Sequence, residues 1–261
     1  YSELARVAES AANKASHIHR QFQRSGFAVE SKDQDHDFVT EADKEAELAV
    51  VRTIGDAFPD HGIVGEEGNN VDGTSDYVWY IDPLDGTTNY VHGLPNTAVS
   101  ICCVAGSQAV AAVVQTSAGD ETFAATRGAG ATLNGRRIGV SGRTDLRESL
   151  LITGFFYDRD DRMVANLGAI RRCFEHGCRG IRRFGSAALD LCYVAAGRAE
   201  GFWENYLAPW DYGAGLLIVE EAGGVVTDEH GGAPSFSPSF VVAATPHIHE
   251  ALRNLVRPHV D

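Results

Sequence analysis

Cationic side chains are scarce in this chain: 22 Lys and Arg stand against 36 Asp and Glu, a formal net charge of −14. Affinity for nucleic acid rests on clustered Lys and Arg that displace counterions from phosphates, so this balance argues against a nucleic-acid partner. Cysteine is equally sparse, with five residues in 261. Cys102 and Cys103 are adjacent in an apolar run and Cys192 falls in a helical apolar pattern, so these read as small core residues. Cys173 and Cys178 lack a second Cys or His pair that would complete a zinc site. No disulfide scaffold is expected, and a reduced, cytoplasmic protein is the simplest reading. No apolar run is long enough to cross a bilayer, and no signal-peptide pattern is visible. Internal repeats, low-complexity tracts and flexible linkers are missing too. The ten His residues are scattered, and His92 reads as structural rather than ligating.

What is present suits a folded globular chain, with 44% hydrophobic and 22% charged residues. The length can bury a sizeable core, as one domain with approximate halves at 1–155 and 156–261. Leu4, Val7, Ala8, Ala11, Ala15, Ile18 and Phe22 form a helical stripe over residues 2–24. Lys32 follows in a polar loop. A second helix is predicted from about residue 40 to 57, with Ala46, Leu48, Ala49 and Val51 on its buried face. Strand patterns then cover 63–65, 77–81, 98–104, 109–115, 121–126 and 150–153, the last closing the first half. Asn134-Gly135 is a hairpin signal. Beyond Asp160 the period is helical, with Met163, Leu167, Ile170 and Phe174 on one face. Strands at 180–184, 201–203, 225–226 and 240–243 alternate with helices at 186–196 and 211–222, and a last helix follows Pro246. Layered helices and sheets result, mainly antiparallel in the first half.

The most informative stretch is Trp79-Tyr80-Ile81-Asp82-Pro83-Leu84-Asp85-Gly86-Thr87-Thr88-Asn89. An apolar strand runs into two carboxylates spaced i, i+3 around a proline, and Pro83 is expected to end strand pairing there. Anions held so close repel unless a divalent cation lies between them, and Gly-Thr-Thr can open a helix whose free amides receive a phosphate. Alone, the segment reads more readily as an ordinary Asp-Gly turn. Ile63-Val64-Gly65-Glu66-Glu67-Gly68 adds paired glutamates after a short strand, which alone would be a solvated pair. Ala208-Pro209-Trp210-Asp211 adds an acid at a helix start, which alone would complement the macrodipole. In Asp37-Phe38-Val39-Thr40-Glu41-Ala42-Asp43, Thr40 can cap a helix with Asp43 at the capping-box position. The donors are all oxygens, which suits Mg²⁺ or Mn²⁺ rather than zinc. No Cys-x₅-Arg pocket, Walker loop or Ser-His-Asp trio competes.

Taken in order, Asp37-x-Val-Thr-x-x-Asp43, Gly65-Glu-Glu, Asp82-Pro-Leu-Asp-Gly-Thr-Thr-Asn89, Trp210-Asp211 and Glu221-Ala-Gly-Gly224 resemble the inositol monophosphatase family of Mg²⁺-dependent phosphatases. The resemblance covers nearly the whole chain, and Pro209 is similar to the bacterial branch. It implies a five-layer αβαβα sandwich, also seen in fructose-1,6-bisphosphatases, and a homodimer. It implies two or three Mg²⁺ ions, with Mn²⁺ as a substitute, held by Glu66, Asp82, Asp85, Asp211 and the Leu84 carbonyl. Asp43 and Thr87, assisted by Glu67, would activate the nucleophilic water; for Asp43 the helix cap and the catalytic role are compatible. Phosphate would rest on the amides of Gly86 and Thr87. Substrate contacts are implied for Glu66, Leu84, Asp85, Gly185, Ser186, Ala187, Glu204 and Asp211. The implied reaction is hydrolysis of myo-inositol 1-phosphate with sensitivity to Li⁺. The same chemistry could act on histidinol phosphate, fructose 1,6-bisphosphate or a 3′-phosphoadenosine nucleotide, and a non-catalytic regulatory protein retaining the fold is a reading of another class.

Overall fold

The structure is a computed structural model that describes residues 1–31, 38–155 and 160–258; Lys32 and Asp37 lie outside the described residues. Five layers stack in the order helix, sheet, helix, sheet, helix. The first holds α1 (Ser2–Ser25) and α2 (Glu41–Ala57), and a two-stranded ribbon of β1 (Val29–Ser31) and β2 (Phe38–Thr40) lies between them in sequence. Next comes a seven-stranded sheet of β3 (Gly62–Gly65), β4 (Tyr77–Asp85), β5 (Ala98–Ala105), β6 (Gln108–Thr116), β7 (Thr122–Thr126), β8 (Gly130–Leu133) and β9 (Arg136–Arg137), in that spatial order. It is antiparallel except for the β3–β4 pair. The short helix α3 (Thr87–Val91) follows β4.

The second sheet takes β10 (Leu150–Thr153), β11 (Gly180–Arg182), β12 (Gly201–Leu207), β13 (Val225–Thr227) and β14 (Ser239–Ala244), ordered β11-β10-β12-β14-β13. Strand β10, expected to close the first half, instead pairs in parallel with β11 and β12. Helices α5 (Ala187–Ala195) and α6 (Pro209–Glu221) fill the middle layer, and α4 (Asp161–His176) and α7 (His249–Val256) cover the outer face of the second sheet.

Sequence explains the layering. β5 reads Ala-Val-Ser-Ile-Cys-Cys-Val-Ala, buried throughout except its last residue, because helices cover both faces of its sheet. α6 is buried almost all round, as a helix between two sheets must be. Its Gly215 lets it approach α5, since a Cβ there would stand 2.5 Å from the Leu191 side chain. The Asn134-Gly135 hairpin forms with both residues at positive φ, 50° and 73°, as a type I′ turn demands. All five cysteines are free and buried. Among the described residues no helix is long and apolar enough to cross a membrane.

Three further expectations are corrected. Strand β4 does not stop at Ile81: Asp82 pairs with Ser100 and Asp85 with Ala98, so one extra residue bulges out at the proline. Leu48 is exposed on α2, and Glu47 takes the buried face instead. On α4, Leu167 and Phe174 face outward with Val164, while Asn166, Ala169 and Cys173 face the sheet. Asn166 can be buried because its amide is satisfied: Oδ1 accepts from Trp203 Nε1 at 2.6 Å and Nδ2 donates to the Gly154 carbonyl at 2.7 Å.

α1 also carries a buried imidazole. His19 has no exposed surface, packs edge-on to Tyr90 and has neither ring nitrogen in a well-formed hydrogen bond. Burial lowers its pKa from 6.5 to about 3. The unfolded chain then binds the extra proton between those values, so this contribution to stability is complete above pH 6.5 and is lost as pH falls toward 3. His19→Leu should flatten the acid limb of the urea-midpoint profile in that window by up to about 1.4 kcal/mol per pH unit; parallel profiles for variant and wild type would refute it.

Candidate active site

Asp43, Glu66, Glu67, Asp85 and Asp211 sit where a strand ends or a helix begins, while Asp82 lies at the bulge inside β4 and Glu204 within β12. Asp43 occupies the third position of α2 and is almost wholly buried. Its Oδ2 accepts from the Thr40 N–H at 2.8 Å and from the Thr40 hydroxyl, which is the predicted cap. Its Oδ1 faces the Thr87 hydroxyl at 3.1 Å. Cap and Thr87 partner are therefore one side chain using two oxygens. Thr87 Oγ1 also lies 3.0 Å from the Leu84 carbonyl, so its single proton has two acceptors.

The β4 bulge presents the central pair. Asp82 Oδ1 accepts the Leu84 N–H at 2.9 Å, and the Glu66 carboxyl lies within hydrogen-bonding reach of Asp82. Asp85 Oδ2 accepts from Ser186 Oγ and Ala188 N, both at 2.7 Å, which ties β4 to the start of α5. Asp211 repeats the device of Asp43, its Oδ2 accepting from Ala208 N at 2.7 Å across the start of α6. Gly86 adopts φ 87°, and a Cβ there would meet the Asn96 carbonyl at 2.7 Å. The Glu67 N–H is held by Glu47 at 2.9 Å, and its carboxylate lies within electrostatic reach of Lys44.

A cavity of about 110 Å³ opens over this cluster, walled by Asp85, Gly86, Gly185, Ala187, Glu204 and Asp211. Ser186, expected to meet substrate, gives its hydroxyl to Asp85 and caps α5. Glu66, Asp82, Leu84 and Thr87 are not among the residues that line the cavity. Sequence reasoning missed Arg183, the single cation on that wall among the described residues, although it stands two positions before Gly185. It also missed Asp190, buried in α5 with neither carboxyl oxygen hydrogen-bonded, and Glu47, a buried acid on a helix with no motif around it.

The electrostatics are one-sided. Burial, then the field of Glu66, Asp85 and Asp211, drives Asp82 well above the usual carboxylate range, and Asp211 is raised in the same way. Burial lifts Asp85 and Asp43 to about 6 each, and Glu204 to about 8 with Asp85 adding to it. Asp190 is raised by burial and by Glu204 and Asp85, with Arg183 opposing. Crowded, desolvated acids either hold protons or recruit a cation. Among the described residues, the backbone hydrogen bonds of Asp82 and Asp211 each use one carboxylate oxygen, Oδ1 of Asp82 and Oδ2 of Asp211. That all-oxygen set fits a hard divalent ion, although among the described residues no three acids are already drawn into a ligating cluster.

The sequence matches the inositol monophosphatase family over residues 1–261. The chain belongs to that family. It is 45% identical over 237 residues to the Nus factor SuhB of Pseudomonas aeruginosa, a match covering 89% of this chain and 87% of the relative. It is 42% identical over 222 residues to the inositol-1-monophosphatase of Rhizobium meliloti, covering 85% and 83%. The crystal structure of the extragenic suppressor protein SuhB from Bartonella henselae superposes with a TM-score of 0.92 at 38% identity, over 98% of both chains. The five-layer sandwich is thus the fold of the inositol monophosphatase family, as the motifs implied.

Gly86 offers a test of the site's geometry that is independent of any ligand. Its left-handed backbone alone should cost an alanine about 1–2 kcal/mol, and the overlap with Asn96 adds to that. Gly86→Ala should lower the urea midpoint accordingly; an unchanged midpoint would show that the turn at α3 is not as described.

Proposed function

We propose that this inositol monophosphatase family member is a Mg²⁺-dependent phosphomonoesterase that hydrolyses myo-inositol 1-phosphate to myo-inositol and phosphate. The observation that carries the reading is the convergence of Glu66, Asp82, Asp85 and Asp211, from three separate elements, beside an Asp43–Thr87 pair and a small cavity. Glu66, Asp82, Asp85, Asp211 and the Leu84 carbonyl would hold two or three Mg²⁺ ions, with Mn²⁺ as a substitute. Bound there, the metal supplies Lewis acidity toward phosphate oxygens and lowers the pKa of a bound water.

The remaining steps belong to the chain. Thr87, its proton shared between Asp43 and Leu84, can accept a hydrogen bond from the attacking water while Asp43 receives the proton. Glu67 assists from the neighbouring loop. The amides of Gly86 and Thr87 receive phosphate oxygens, and Glu204, with Gly185 and Ala187 shaping the wall, accepts hydrogen bonds from sugar hydroxyls. Positioning and charge stabilisation suffice for phosphoryl transfer to water, so no covalent phospho-enzyme is invoked.

A second reading, a regulatory role on the same fold, is favoured by the relatives named as Nus factors. The homodimer is also proposed, through the outward stripe of Val164, Leu167 and Phe174 on α4, which are 60%, 50% and 54% exposed.

Phosphate release from myo-inositol 1-phosphate should require Mg²⁺, fall on addition of Li⁺ and drop to background in Asp85→Asn. Metal-independent release, or full activity in that variant, would overturn the metal assignment. Across a panel including histidinol phosphate, fructose 1,6-bisphosphate and a 3′-phosphoadenosine nucleotide, inositol phosphate should give the highest kcat/KM; absence of turnover on all of them would favour the regulatory reading. Leu167→Glu combined with Phe174→Glu should halve the mass seen by light scattering, and an unchanged dimer would place the interface elsewhere.

A further inference from the structure

Against the loop after β3 lies a carboxylate that none of the proposed chemistry uses. Glu47 lies on α2 with no exposed surface. Its Oε2 accepts the Glu67 N–H at 2.9 Å, and its Oε1 accepts the Asn69 N–H at 2.9 Å and Asn69 Nδ2 at 2.8 Å. Both oxygens are therefore claimed by one loop, the one that carries Glu66 and Glu67. Gly65 makes the approach possible, because a Cβ there would stand 2.4 Å from Glu47 Oε2. The Gly65 N–H in turn donates to Asn70 Oδ1 at 3.0 Å, and the Glu66 N–H to the Ile81 carbonyl at 3.1 Å. Three consecutive amides around Glu66 are thus held, the third by Glu47.

The helix beneath adds a register. Asp43 and Glu47 are four residues apart on α2, so they share a face about 6 Å apart along the axis. Asp43 reaches Thr87 on the start of α3, while Glu47 reaches the loop after β3. One rigid helix face therefore fixes two loops relative to each other. An ion-binding acid on a loop needs such support, since its affinity depends on how far the loop must be ordered when the ion arrives.

We infer that Glu47 is a positioning residue that sets the divalent-metal affinity of the site by fixing the Glu66–Glu67 loop against α2. The inference rests on the metal reading above and assigns Glu47 no contact with metal or substrate. A buried acid kept only for folding would lower stability when changed but leave the metal constant alone.

The experiment separates these outcomes. Mn²⁺ binding to the purified protein would be measured by calorimetry or by loss of the free Mn²⁺ resonance signal, alongside the Mg²⁺ dependence of phosphate release. Glu47→Gln keeps the shape but turns one acceptor into a donor facing an amide N–H. The variant should bind Mn²⁺ about 10- to 100-fold more weakly and need correspondingly more Mg²⁺, with kcat at saturating Mg²⁺ within a few-fold of wild type. Gly65→Ala, which displaces the same carboxylate, should shift the metal constant in the same direction, and Asp43→Asn should instead lower kcat. If Glu47→Gln does not fold, Asn69→Asp on the partly exposed loop places a second anion against Glu47 and must show the weakened binding. Wild-type Mn²⁺ affinity in a folded Glu47→Gln or Asn69→Asp protein overturns the inference. Wild-type protein that binds no Mn²⁺ at all overturns the metal reading itself, and the positioning role with it.

Discussion

Mutual repulsion among buried carboxylates is the constraint around which this molecule is organised. Asp82, Asp85, Asp211 and Glu204 lose their water and face one another, and Arg183, the single guanidinium at the cavity wall among the described residues, opposes only part of that charge. Left alone, such a set is destabilising, because each ionised acid raises the penalty for the next. A fold can keep it only by fixing every member through bonds made elsewhere. Asp43, Asp211 and Asp85 each use one oxygen to satisfy a helix start, and those bonds offset part of the cost of burial.

The five-layer stack supplies those helix starts. α2 lies in the outer layer and α5 and α6 in the central one, and their N-termini gather around the bulge of β4: Asp43 of α2 faces Thr87 on α3, Ala188 of α5 donates to Asp85, and the Trp210 carbonyl of α6 accepts from Ser100, the β5 partner of Asp82. The partial positive charge at each N-terminus faces the acids, which eases crowding without a cationic side chain. A net charge of −14 is then no obstacle to holding an anionic ester. Local potential is set by helix ends and by any ion they help retain, and net charge has little say over so short a range.

Much of this was legible in the residues because local chemistry decided it. Thr40 and Asp43 form the predicted capping box, Asn134-Gly135 the predicted hairpin, and the acids of the Asp-Pro-Leu-Asp segment do lie at one site. The illegible parts are those where tertiary contacts overrode a pattern. On α4 the apolar stripe faces outward because Asn166 finds the Trp203 indole and a carbonyl inside, which periodicity cannot foresee. Glu47 escaped for the same reason: a charge on a helix is assigned to water unless its partners are known, and these lie 20 and 22 positions away. Arg183 and Asp190 could have been flagged only by knowing that the start of α5 meets Asp85.

The proline in β4 shows how one misread residue and a correct motif fit together. In a regular strand side chains alternate, so residues spaced i, i+3 lie on opposite faces. Asp82 and Asp85 could not then share a site. Their partners on β5, Ser100 and Ala98, are two apart and so lie on one face. The bulge removes one step of alternation, which brings both aspartates to the same side. Pro83 fits the interruption because it has no N–H to leave unpaired there. The proline therefore does not end the strand. It allows β4 to continue past a shift in register, and that shift is what turns two acids three residues apart into neighbours.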